Sequence, residues 1–139
     1  MQLKFIGERV AEYYWDNDLN CAVTTLKILA EYFDIHINEQ VYNAAIGMHG
    51  AGGYGAQCGL VEGSLMFIGL FAKSKKTADE KIITLCNNFA KRFENEFFSL
   101  QCIILRPQGF KADNPPHLCE QLTCSAIQFA IFFMENEVI

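Results

Sequence analysis

The sequence predicts an all-α protein, because apolar residues recur at helical spacing along almost its whole length. No stretch shows the repeated apolar and polar alternation, bounded by hairpin turn signals, that a half-buried strand would show. Residues that favour helix N-termini also precede several of the apolar segments. We therefore expect a compact bundle of about five to seven helices.

Length and composition predict one folded domain. The 139 residues are 51% hydrophobic and only 19% charged. A chain of this kind can bury enough apolar surface to offset the entropy lost on ordering. Residues 1–139 are therefore expected to share one core.

The first half of the chain contains three predicted helices. The first runs from about Leu3 to Trp15. The second covers Cys21–Phe33, with Asn20 as its N-cap residue. Asn38 is suited to cap a third helix, which ends before Gly50.

A glycine-rich segment, residues 50–55, separates the third helix from the fourth and is predicted to be a loop, because regular helix would be costly there. The fourth helix is expected to begin near Cys58. Its glycines would let neighbouring backbones approach closely, so we expect this helix to be central and buried.

Two longer helices are predicted in the second half. Thr77 and Glu80 have the spacing of a capping box, which would open a fifth helix that extends to about Phe97. Residues 99–105 form a short helical or irregular piece, and residues 106–114 a polar loop. A final helix is then expected at residues 118–135, after two prolines.

The charge balance argues against nucleic acid as a partner. The net charge is -5, and the only group of basic residues is the short one formed by Lys73, Lys75 and Lys76. A polyanion would be repelled overall.

Membrane insertion and secretion are not expected either. The longest apolar stretch, Cys58 to Ala72, contains Glu62 and is shorter than the roughly twenty residues that cross a bilayer. Glu8 and Arg9 interrupt the first residues before the apolar core of a secretory signal could form. We therefore expect a cytoplasmic protein.

Cysteine is the residue type most suited to carry chemistry in this chain, which has six of them. Cytosolic thiols are normally reduced, so metal binding, redox chemistry and core packing are the uses to consider. Cys21 and Cys58 begin predicted helices, where free N–H groups and the helix dipole favour a thiolate. Cys102 and Cys119 flank the predicted polar loop, a placement suited to two thiols that close on one another.

The remaining cysteines and two histidines have simpler interpretations. Cys86 lies in the phenylalanine stripe of the fifth helix, which is typical of a small core residue. Cys119 and Cys124 would lie about 140 degrees apart around the last helix, so they should not share a site. His49 and His117 could join a mixed Cys/His metal site, although a surface or capping role is the commoner one.

Four short segments with a cysteine follow one another along the chain, with the glycine-rich segment between the first two. This order resembles the C_GCAxxG_C_C family. Its members are helical proteins of similar length that share four cysteines, one of which begins a Cys-Gly-Ala-x-x-Gly motif. A redox role has been suggested for the family. The segments are Asn20-Cys21-Ala22-Val23, Cys58-Gly59-Leu60-Val61-Glu62-Gly63-Ser64-Leu65, Ser99-Leu100-Gln101-Cys102 and His117-Leu118-Cys119.

The resemblance implies a functional set made of Cys21, Cys58, Cys102 and Cys119, in which Gly59 and Gly63 support the second cysteine. The chain departs from the motif in having Leu60 in place of alanine and Glu62 in place of a small hydroxyl residue.

Glu62 follows Cys58 by one helical turn, so it could act as a general base or as a carboxylate ligand there. Together with the two glycines that the resemblance implies, Glu62 completes the set of residues expected to contact a group bound at Cys58, namely Gly59, Gly63 and Glu62.

Three functions are compatible with these residues. The first is thiol/disulfide redox chemistry, which needs no cofactor and implies a redox partner protein. The second is a zinc or iron–sulfur site that uses the same four thiolates. The third, implied only by the resemblance, is an accessory or regulatory role at a membrane transporter.

Overall fold

The computed structural model describes residues 2–106, 114 and 116–138. These residues form eight helices and no β-strand, so the prediction of an all-α fold is confirmed for the described part of the chain. Five helices are long and three are short turns of four to six residues. The helices are α1 (Gln2–Ala11), α2 (Cys21–Phe33), α3 (Glu39–Ala44), α4 (Gly50–Gly53), α5 (Gly59–Ser74), α6 (Asp79–Phe97), α7 (Cys102–Leu105) and α8 (Glu120–Glu137).

Both predicted asparagine caps are present. Asn20 Oδ1 accepts a hydrogen bond of 2.9 Å from the N–H of Val23, in the first turn of α2. Asn38 Oδ1 accepts one of 2.9 Å from the N–H of Gln40, in α3. Each side chain satisfies a backbone donor that has no partner within its helix.

The predicted capping box at Thr77 is wrong. Ala78 is the N-cap residue of α6, and no side chain bonds to the first turn there. The N–H of Thr77 instead donates to the carbonyl of Ala72, so Thr77 belongs to the turn that closes α5. The acidic residues Asp79 and Glu80 still lie in the first turn, where they favour the helix dipole.

Other helix ends differ from the sequence-based boundaries. The first helix changes to a π-helical turn at Glu12–Asp16, and α8 begins at Glu120, two residues later than predicted. The glycine-rich segment contains the single turn α4, in which Ala51 has a left-handed φ of 55°, so it is irregular as expected. The predicted loop at residues 106–114 lies outside the described residues except for its two ends.

Helix α5 lies at the centre of the bundle, as predicted. It packs against α2, α6 and α8, while α1 packs against α8 and α2. Phe67 and Ile68 in α5 are fully buried. None of the helices in the described ranges combines the length and the apolar character needed to cross a membrane.

Phenylalanine side chains fill the space between α6 and α8. Phe89 meets Phe133 nearly at right angles, with 5.2 Å between the ring centroids. Phe93 meets Phe129 in the same way at 5.9 Å. These edge-to-face contacts fix α8 against α6 and so position the start of α8.

The contact between α2 and α5 depends on a glycine. A Cβ atom at Gly63 would lie 2.7 Å from the carbonyl oxygen of Ala22, which is backbone and cannot move alone. Gly69, two turns later in α5, has nothing within 4 Å of the corresponding position. The backbones of the two helices therefore approach closely at Gly63, whereas Gly69 faces open space.

We predict that Gly63→Ala destabilises the protein, because α2 must move away from α5 to admit the methyl group. The expected loss in the free energy of unfolding is about 1–3 kcal/mol, measured by urea denaturation. Gly69→Ala is the matched control, and it should stabilise the protein by about 0.5–1 kcal/mol, because alanine restricts the unfolded chain and favours helix. Equal effects at the two positions would contradict the close contact at Gly63.

Candidate functional site

Cys21 and Cys58 meet where α2 and α5 begin. Cys21 is the first residue of α2, and Cys58 is the N-cap residue of α5. A Cβ atom at Gly59 would overlap Cys21 Sγ and would lie 3.0 Å from the backbone nitrogen of Ala22. The Cys21 thiol therefore occupies the space that Gly59 leaves open, directly beside Cys58.

A short stretch of antiparallel backbone pairing brings Cys102 close to Cys58. The N–H of Cys58 donates to the carbonyl of Leu100 at 2.8 Å, and the N–H of Cys102 donates to the carbonyl of Ala56 at 2.7 Å. Between them, Gln57 and Gln101 form an isolated β-bridge. These hydrogen bonds fix Cys102, at the start of α7, next to the start of α5.

Gly50 packs directly against Cys102. Its φ is +68°, a left-handed conformation that glycine adopts easily, and a Cβ there would lie 3.0 Å from the Cβ of Cys102. The N–H of Gly50 donates to the carbonyl of Gln57 at 3.0 Å. The glycine-rich segment thus forms a wall beside the thiols.

Cys119 reaches the site from the start of α8, where it is the N-cap residue. The N–H of Thr123 donates to its carbonyl at 2.7 Å. Thr123 Oγ1 also lies 2.7 Å from the hydroxyl of Tyr14, a side chain that is 2% exposed. Burial raises the pKa of Tyr14, and charges on Cys21, Cys119 and Cys58 raise it further, so this phenol lies among the cysteines.

Three of the four cysteines line one cavity of about 250 Å³, which also includes Arg106 and both predicted histidines. Cys58 is 3% exposed and lies behind this surface. Charges on Cys58, Cys119 and Cys102 all raise the pKa of Cys21, after the larger effect of burial. The folded chain therefore brings the four sulfur atoms close enough to interact electrostatically. The lining residues are Tyr14, Asp18, Leu19, Asn20, Cys21, His49, Gly53, Cys102, Arg106, His117, Leu118 and Cys119.

The expectation that Cys21 and Cys58 favour the thiolate form is wrong. Burial raises the pKa of Cys58 from 9.0 to about 12, although the N–H groups of Leu60 and Val61 at the start of α5 lower it in part. Burial also raises the pKa of Cys21 well above its ordinary value. Removal of the thiolate from water outweighs the helix N-terminus at both positions.

Arg106 gives Cys102 and Cys119 a different environment. Burial raises the pKa of both thiols, but the guanidinium charge of Arg106 acts to lower both. A charge on Cys102 also raises the pKa of Cys119. No sequence motif marks Arg106, and its one local signal is that it is the basic residue directly after α7, the helix that Cys102 begins.

The two histidines are held by polar and aromatic neighbours. His117 Nε2 lies 2.9 Å from Asp18 Oδ1, and its ring stacks on Tyr14 with 4.6 Å between centroids. His49 Nδ1 lies 3.3 Å from the side-chain nitrogen of Asn20. Both rings therefore contribute to the shape of the cavity.

The structure places the three other predicted residues next to Cys58. Gly59 and Gly63 face α2, where they allow the close packing described above. Glu62 accepts a hydrogen bond from the side chain of Gln57. Their contact with a bound group, and the role of Glu62 as a base, stay predictions.

All six cysteines are free thiols in this structure. Cys86 lies at 3.9 Å from the carbonyl of Leu65, in a half-buried position between α6 and α5. Cys124 is half-buried on α8, near Glu120. Neither is among the residues that line the cavity.

The geometry does not support the zinc or iron–sulfur alternative. Among residues 2–106, 114 and 116–138, no three or more His, Cys, Asp or Glu side chains are arranged to hold a metal ion. Four thiolates at the vertices of a tetrahedron would be needed for a structural zinc site.

Residues 19–131 match the family described as "Putative redox-active protein (C_GCAxxG_C_C)". The match includes all six cysteines and most of the chain. No curated protein and no solved structure matches the chain.

The raised pKa of Cys58 predicts a loss of stability at alkaline pH. A thiol that holds its proton more tightly in the folded state contributes stability below its unfolded pKa of about 9, and this contribution is lost as the pH rises towards 12. Between pH 8 and pH 11 the free energy of unfolding of the unmodified protein should fall by about 2–3 kcal/mol more than that of Cys58→Ala.

This difference is measured by urea denaturation under reducing conditions across the pH range. Cys86→Ala serves as the control, because Cys86 is only half-buried and its removal should change the pH dependence less than Cys58→Ala does. Parallel pH profiles for Cys58→Ala and the unmodified protein would contradict the assigned environment of Cys58.

Proposed function

The chain belongs to the C_GCAxxG_C_C family, and we propose that it carries out thiol/disulfide exchange at the cavity lined by Cys21, Cys102 and Cys119. The observation that carries this proposal is the approach of four thiols from four separate segments of the chain. The positive charge of Arg106 acts on two of these thiols, Cys102 and Cys119, and both are half-buried. Exchange requires such an arrangement, since one thiolate must attack and a second thiol must resolve the mixed disulfide.

Cys102 is the attacking residue in this proposal. The thiolate is the reactive form, and Arg106 acts to lower the pKa of Cys102. Arg106 also acts to lower the pKa of Cys119, but a charge on Cys102 raises it. In this proposal Cys102 is the thiol that ionises first, and Cys119 is the resolving thiol.

The reaction has two steps and needs only an incoming disulfide as oxidant. The Cys102 thiolate attacks one sulfur of that disulfide, whose S–S bond breaks, and the leaving sulfur takes up a proton as a free thiol. Cys119 then loses its proton and attacks the Cys102 sulfur, which releases the second half of the incoming molecule as a thiolate that is protonated. In total, two protein thiols are oxidised to one disulfide and the incoming disulfide is reduced to two thiols.

Cys21 and Cys58 form the inner dithiol in this proposal. Cys21 lines the same cavity as Cys102 and Cys119, whereas Cys58 lies behind it. Internal exchange would pass the disulfide from the outer pair to the inner pair and return the outer thiols to their reduced form. Each internal exchange conserves the number of disulfides, so no further oxidant is needed.

The proposal predicts a reversible loss of two thiols. The reduced protein has six free thiols, and equilibration with a disulfide buffer of rising potential should lower the count to four at the first step. When the oxidation is stopped with acid at early times, peptide mapping should find Cys102 linked to Cys119 before Cys21 is linked to Cys58. A reductant should restore all six.

Two variants make the test specific. Cys119→Ser removes the resolving thiol, so Cys102 should accumulate as a mixed disulfide that mass spectrometry detects. Cys86→Ser, outside the cavity, should lose two thiols as the unmodified protein does. An unchanged thiol count across the potential range, or a first disulfide that includes Cys86 or Cys124, would refute the assignment.

A further inference from the structure

The cavity holds a cation beside its two outer thiols. Arg106 lines the cavity together with Cys102 and Cys119, and its backbone N–H donates to the carbonyl of Cys102 at 2.9 Å. This hydrogen bond closes α7 and keeps Arg106 near the attacking sulfur. The side chain is half-buried, so its field is less screened than that of a surface arginine.

Among the described residues that line the cavity, Asp18 is the one carboxylate, and it would act against an anion. Asp18 is bound to His117 at 2.9 Å, and its side chain is 88% exposed. Solvent therefore screens the charge of Asp18 more strongly than that of Arg106. An anion beside Cys102 and Cys119 is therefore attracted by Arg106 more strongly than it is repelled by Asp18.

The size of the cavity limits what can enter it. Its volume of about 250 Å³ is below the roughly 300–1,000 Å³ of sites for drug-sized ligands. A folded partner protein would instead need a contact surface of about 800 Å². A molecule of about a dozen non-hydrogen atoms is a closer match to this space.

We propose that the substrate of the outer thiols is a small disulfide that carries a carboxylate or another anionic group, and that Arg106 binds this group. The inference rests on the proposed thiol/disulfide function and names its substrate class. Arg106 then has two effects, since it lowers the pKa of the attacking thiol and holds the substrate with one sulfur next to Cys102. A charge-assisted hydrogen bond from guanidinium to carboxylate provides this orientation.

Three small disulfides of similar size and different charge test the proposal on the full chain. They are dithiodipropionate (anionic), hydroxyethyl disulfide (neutral) and cystamine (cationic). The rate of thiol loss from the reduced protein is measured with each at low ionic strength. Each rate is divided by the rate at which dithiothreitol reduces the same probe, which removes differences in the intrinsic reactivity of the three disulfides.

We expect the normalised rate to be at least about tenfold higher for dithiodipropionate than for cystamine, as hydrogen bonds to charged groups imply. The net charge of -5 acts in the opposite direction, so a preference for the anion must arise locally. Arg106→Gln should reduce the ratio of the two rates about tenfold. The ratio is informative because a change in thiol pKa affects both probes equally.

Arg92→Gln is the matched control, since it also removes one arginine charge. Arg92 lies on α6, away from the cavity, and forms a surface ion pair with Glu137 of α8. It should leave the rate ratio unchanged. Exchange that proceeds with no preference for the anion would overturn the inference and leave the proposed function intact. Faster exchange with a polypeptide disulfide than with any small probe would also overturn it, and no exchange with any disulfide would refute both proposals.

Discussion

The close approach of α2 to α5 is the contact on which the candidate site depends. At Gly63 the two backbones are separated by less than the space that a methyl group needs. One turn earlier, Gly59 leaves room for the sulfur of Cys21. Because both helices begin at this contact, their first residues face one another, and the packing of the hydrophobic core also sets the distance between two thiols. A single constraint therefore serves stability and site geometry.

Backbone outside the helices completes the arrangement. The hydrogen bonds from Cys58 to Leu100 and from Cys102 to Ala56 join two segments that are far apart in sequence. The left-handed conformation of Gly50 lets the glycine-rich segment lie against Cys102. Asn20 connects α2 to the residues that precede this segment, since its side-chain nitrogen donates to the carbonyl of Ile46 while its oxygen caps the helix. The site is thus built on short, well-bonded connections carried by rigid helices.

Features set by local residues were predictable from the sequence, whereas features set by tertiary contacts were not. The caps at Asn20 and Asn38 depend on neighbouring residues and are confirmed, whereas the capping box at Thr77 is not formed, because Thr77 belongs to the turn that closes α5. The contact of Tyr14 with Thr123 joins opposite ends of the chain, so no local pattern could reveal it. The same reason explains the wrong expectation for Cys58, because its helix position is local but its burial arises only when α5 becomes central.

Burial of the thiols is compatible with the proposed exchange, even though it disfavours the reactive form. A protonated, shielded thiol reacts slowly with chance oxidants, because the thiolate is the nucleophile. A site that must remain reduced until its substrate arrives benefits from this protection. The cost is slow attack, and Arg106 reduces that cost only for the two thiols that line the cavity beside it. In this proposal, the outer cysteines are more reactive than the inner ones because Arg106 lies closer to their sulfur atoms. This difference in reactivity sets the order in which the four cysteines react.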